Sequence, residues 1–144
     1  MKAGLVIMLG LAGLSLVAGT VQAETKAQDT SARLSQLAFA VQNVEPDKLC
    51  GAIKPTTPVA FIMQKGEAGE KTTFRGEGCS AAMKALMTVV NAVGAPKYER
   101  NDNISTAGMM MRYSLNDPKD EFTLGVTFGP DAEIGDLIFT LVDR

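Results

Sequence analysis

Cys50 and Cys79 carry the greatest chemical capacity in this sequence, and no histidine accompanies them. Without imidazole the commonest transition-metal ligand, the usual general base and the usual activator of a nucleophile are all missing. The thiols then have two possible roles. Cys79 stands where a helix is expected to start, and a helix dipole lowers the pKa of a thiol there, which would make it reactive. Alternatively Cys50 and Cys79 pair with each other, as two cysteines of a small exported domain commonly do. They lie 29 positions apart, and closing a loop of that length is worth roughly 3–4 kcal/mol by chain entropy. The pairing is the preferred reading.

Other constellations look chemical and resolve into ordinary structure. Gly66, Gly69, Lys71 and Thr72 imitate a phosphate loop, but the glycines are too close together and Glu67 and Glu70 would repel phosphate, so the segment reads as a hairpin turn. Ser80 and Lys84 are four apart, where the acyl-transfer pair needs three, and Ser80 reads as a helix cap. Met109, Met110 and Met111 invite a soft-metal reading. In a strand, however, alternation sends Met110 to the opposite face, which favours methionine as core filler. Asp131, Glu133 and Asp136 lack the spacing of a calcium loop and read as a solvated acidic turn. Asn103-Ile104-Ser105 matches a glycosylation sequon. No metal site, no cofactor and no catalytic group are assigned, and the chain is expected not to be an enzyme.

The compartment that would oxidise the thiols is written in the first residues. Lys2, the apolar run Leu5–Val17 and the small-residue site Val21-Gln22-Ala23 make residues 1–23 a secretory signal peptide, with 24–144 as one soluble domain. The run is shorter than the roughly 20 apolar residues of a membrane span. Loss of Lys2 leaves 13 of the 14 basic residues against all 16 acidic ones, a formal charge of −3. Mild acidity without a basic cluster argues against nucleic acid and against membrane insertion after cleavage. The expected location is periplasmic or secreted, with a protein of the envelope or extracellular space as partner.

Periodicity supplies the elements that must position these residues. A helix capped by Thr30 or Ser31 carries Leu34, Leu37, Ala38, Val41 and Val44 on one stripe and stops at Pro46. Asp47–Pro58 reads as a connecting loop holding Cys50. Val59–Met63 and Lys71–Arg75 form a hairpin, and a second helix starting near Cys79 buries Met83, Leu86, Met87, Val90 and Val93. Lys97–Gly108 reads as irregular. Alternation in Met109–Leu115, Phe122–Phe128 and Asp136–Val142 gives a three-stranded meander. The order is α-β-β-α-β-β-β, an α+β domain whose largely antiparallel sheet packs on two helices.

With regular turns Leu115 would pair with Phe122, and Arg112 with Ile138 would flank Gly125, whose bare backbone admits a close approach. The polar face then presents Arg112, Ser114, Thr123, Gly125, Thr127 and Thr140, and this face is the expected recognition surface of an exported binding protein: an inhibitor, an immunity-type protein or an accessory of an envelope machine. The alternative is a carrier that holds a small apolar ligand between helices and sheet, lined by Met83, Met87, Met109 and Met111.

Overall fold

The computed structural model describes residue 26 and residues 28–144. The proposed signal peptide, residues 1–23, lies outside the described residues. The first helix, α1, runs through residues 28–43 and buries Leu34, Leu37, Ala40 and Val41, each large side chain worth roughly 2 kcal/mol of apolar transfer. Thr30 does not cap it, because residues 28–30 are already helical. Its hydroxyl instead lies 2.8 Å from the carbonyl of Ala132, pinning the helix to a distant turn. The helix closes on Val44 at φ 53°, with Val44 N–H donating to Val41 O at 3.3 Å and Glu45 N–H to Ala40 O at 2.9 Å. That pair of bonds satisfies the last carbonyls of the helix.

Pro46 does not end helical structure here; it begins the next piece. It occupies the first position of α2, Pro46–Ala52, where a missing N–H deprives the helix of nothing. Cys50 therefore rides on a helix, not on the expected loop. The chain continues through β1 (Pro58–Lys65), β2 (Lys71–Glu77), α3 (Gly78–Val93), β3 (Lys97–Asp102), β4 (Gly108–Ser114), β5 (Glu121–Phe128) and β6 (Ile134–Asp143). The described residues are α+β, with three helices and six strands where two helices and five strands were expected.

The strands form one sheet in the order β2-β1-β6-β5-β4-β3. Four of its pairings are antiparallel, but β1 and β6 run parallel, so the sheet is mixed. The hairpin and the meander are thereby fused through the first and last strands. β3 extends the meander to four strands; its sequence Lys-Tyr-Glu-Arg-Asn-Asp lies at the sheet edge and alternates no apolar face, which hides it from periodicity.

One face of the sheet holds Phe61, Met111, Tyr113, Phe122, Leu124, Leu137, Phe139 and Leu141, all buried. Against it α3 buries Ala82, Ala85, Leu86 and Val89, a stripe rotated from the expected one; Met87 is 40% exposed. Small residues face the sheet because the helix lies close to it. A Cβ on Gly76 would come within 2.7 Å of the Ala81 methyl group. Ser80 is not the cap either, since Glu77 occupies that position and makes no side-chain cap bond. Cys50 and Cys79 are paired as a disulfide with Cα atoms 5.1 Å apart, which ties α2 to the start of α3. Among the described residues no helix is long and apolar enough to cross a membrane.

Candidate functional site

The two helices that cover the sheet leave a gap at one end. α3 lies over β1 and β2, while α1 lies over the β3–β5 half, where the Gln42 amide oxygen accepts the Tyr98 backbone N–H at 3.1 Å. Between α1 and this half opens a cleft of about 720 Å³. Leu34, Phe39, Met109, Met111 and Phe128 line it as apolar surface, and Ser31, Ser35, Asn101, Ser105 and Thr106 supply hydroxyl and amide groups. Among the described residues, none of the 17 that line it carries an ionisable carboxylate, amine or guanidinium. This absence sets the chemistry of the cleft. A charged ligand group buried there would lose water and find no counter-charge, whereas a hydroxyl or carbonyl would find several partners.

Each wall is fixed by an identifiable contact. The Tyr98 phenol donates to Asn101 Oδ1 at 2.9 Å, which leaves the amide nitrogen of Asn101 as a donor. The Phe39 ring, half exposed, carries the Lys48 ammonium of α2 over it, 4.5 Å from the ring centroid. Beside Met111, on the same face of β4, Tyr113 is buried, its hydroxyl 3.7 Å from Met111 Sδ, and burial, followed by the neighbouring Tyr98, holds the Tyr113 phenol well above its usual pKa. The cleft can bind and orient a largely apolar molecule, with the Tyr98 and serine hydroxyls as hydrogen-bond groups for its polar end.

The residues expected to form a recognition surface lie elsewhere. Alternation does bring Arg112, Ser114, Thr123, Gly125, Thr127 and Thr140 to the sheet face opposite the core. Their pairing differs from the expected register. Tyr113, not Leu115, opposes Phe122, so Arg112 stands beside Thr123, and Gly125 is flanked by Met110 and Ile138. Val126 opposes Leu137. Arg112 does not lie over Gly125; its guanidinium is engaged by the Asp102 carboxylate of β3. Burial pushes the Asp102 pKa up, but hydrogen bonds from Arg112 and Arg100 outweigh it and hold the carboxyl below its usual range. Thr127 bonds to Asp136. Arg112, Ser114 and Thr123 rim a small hollow of about 250 Å³.

The methionines expected to line a single cavity are divided. Met109 and Met111 belong to the α1 cleft, Met87 to a second cleft on the far side of α3, and Met83 packs on the core. The serines of α1 carried no sequence signal as ligands; their position three and four residues from Leu34 and Phe39 is the one cue that places them on the cleft wall.

No protein-family model matches this sequence, and no curated protein matches it by sequence. Solved structures are similar in fold. A protein of unknown function with a cystatin-like fold from Methylobium petroleophilum superposes with a TM-score of 0.53 at 12% identity, over 79% of this chain and 76% of the other. A steroid delta-isomerase from Pseudomonas aeruginosa gives 0.51 at 14% identity, over 78% and 79%. A SnoaL-like protein of unknown function from Burkholderia thailandensis gives 0.50 at 12%, over 79% and 95%. At these identities the likeness is one of fold. It is enough to correct the expectation that the chain is not an enzyme: that expectation rested on missing histidine and missing motifs, and an isomerase carries the same fold.

Proposed function

We propose that this protein is exported and binds an uncharged, largely apolar small molecule in the cleft between α1 and strands β3–β5. The observation that carries the reading is a 720 Å³ cleft whose lining, among the described residues, contains no charged side chain, a size suited to a small-molecule site. The fold shared with a steroid delta-isomerase supports the same class of ligand, because that protein acts by name on steroids. Export is supported by the leader-like residues 1–23 and by the Cys50–Cys79 disulfide, which persists in an oxidising compartment. The protein-partner reading of the open sheet face carries less, since the Arg112 cation it would offer is already matched by Asp102.

Equilibrium dialysis against labelled progesterone, a neutral steroid, and palmitate, an acid of similar apolar bulk, tests the proposal. The steroid should bind at least about tenfold more tightly, because the carboxylate finds no cation in the cleft. Preference for palmitate, or no binding of the steroid, would overturn it.

A further inference from the structure

The sheet has two edges, and they are finished differently. β3 is broken by a register shift between Tyr98 and Arg100, and its Tyr98 N–H is taken by Gln42. Bulges and side-chain caps of this kind discourage another strand from adding. β2 carries no such device: its register with β1 runs unbroken from Pro58↔Glu77 to Gln64↔Lys71. All but one of its residues are exposed, and Phe74 is 53% exposed. Beside that edge lies a cleft of about 780 Å³ between β2 and the outer side of α3, with Phe74 and the exposed Met87 on its walls.

The direction of the free backbone groups follows from the hairpin. Lys65 N–H donates to Glu70 O at 3.3 Å, and Gly78 N–H donates to Thr57 O at 2.8 Å. Both pairs continue the β1–β2 register, and hydrogen-bonded pairs alternate along an antiparallel ladder. Phe74 therefore bonds inward to Phe61, while Lys71, Thr73, Arg75 and Glu77 direct their N–H and C=O groups away from β1. Pro58, which has no N–H, faces Glu77 at a position that needs none.

We infer that a second copy of this chain pairs on that edge, β2 against β2 in antiparallel register about a two-fold axis through Phe74. Thr73 then opposes Arg75 of the second copy, and Lys71 opposes Glu77 at both ends, so the outward backbone groups meet as hydrogen-bonded pairs and opposite charges face each other on one face. The two Phe74 rings come together on the other face as a close, non-hydrogen-bonded pair. Neighbouring registers fail on charge: centring on Thr73 sets Lys71 against Arg75, and centring on Arg75 sets that residue against itself. Axes between residues break the alternation of the backbone bonds. The contact is isologous and closes.

Sedimentation equilibrium of the purified protein, with circular dichroism to confirm folding, tests this. The wild type should form a dimer. Lys71→Glu and Glu77→Lys should each weaken it about tenfold, and the double reversal should restore it to within about threefold. A zero-length carbodiimide should also couple Lys71 to Glu77 between isotopically light and heavy chains, since within one strand the two lie roughly 20 Å apart. A monomer at every concentration, a dimer indifferent to either reversal, or failure of the double variant to recover would overturn the inference.

Discussion

The two ends of the sheet are covered by helices held in different ways. α3 is tied through Cys79 to α2 and lies so close to β2 that only glycine fits at position 76. α1 is held over the other end by its apolar stripe and by contacts from Thr30 and Gln42. The clefts beside the helices differ to match. The one under α1 has no charged lining residue, whereas the one beside α3 includes Arg75, Glu77 and Lys84. The difference teaches where ligand binding and where assembly belong. A largely apolar, uncharged cleft suits a molecule that must leave water, and a charged, unfinished edge suits a strand that brings its own charges and backbone groups.

The strongest break of this contrast is reductive. Cys50→Ser together with Cys79→Ser should lower stability in urea by roughly 3 kcal/mol, yet leave ligand affinity of the folded protein within about threefold, because neither cysteine lines the α1 cleft. A large loss of affinity would mean that the two ends are not separate.

Alkaline titration sharpens the contrast next. Tyr113 lies beside the cleft-lining Met111 on the same face of β4, and burial raises the pKa of its phenol. A raised folded-state pKa contributes stability that is present below the ordinary value of 10.0 and is lost as pH rises beyond it. Tyr113→Phe should remove that alkaline loss in circular-dichroism melts between pH 9 and 12, while costing about 1 kcal/mol or less at pH 7. The smallest expected effect is local to the cleft wall. Tyr98→Phe removes the hydroxyl that positions Asn101, and dialysis should show steroid affinity falling about fivefold.

Much of the fold was legible because side-chain burial imposes a period. Alternation located β4, β5 and β6, and the stripe Leu34, Leu37 and Val41 located α1. The parts that escaped have no such period. β3 is a charged edge strand, and α2 begins at a proline that equally signals a stop. Pairing is not a local property at all. Nothing within Val59–Met63 announces a parallel neighbour, and the six-residue connection from Leu115 to Asp120 set the β4–β5 register two residues from the regular-hairpin expectation. Met83 and Met87 were placed on the core stripe by their helical spacing; Met83 does pack on the core, but Met87 is exposed, because a helix packed close to a sheet turns the small residues Ala82 and Ala85 toward it. Met109 and Met111 were legible as possible ligand lining; Ser31 and Ser35 were not, since exposed helical serines are common.

The central claim, an uncharged ligand cleft under α1, is tested most directly by fluorescence titration with N-phenyl-1-naphthylamine, a neutral apolar probe, against the wild type and Ser35→Trp. Ser35 is exposed and lines the cleft, so an indole there fills the space while stability should change by no more than about 0.5 kcal/mol. The account predicts one saturable site per chain in the wild type and at least a hundredfold weaker binding in the folded variant, about 2.7 kcal/mol. Equal binding by both proteins, or none by the wild type, would contradict it.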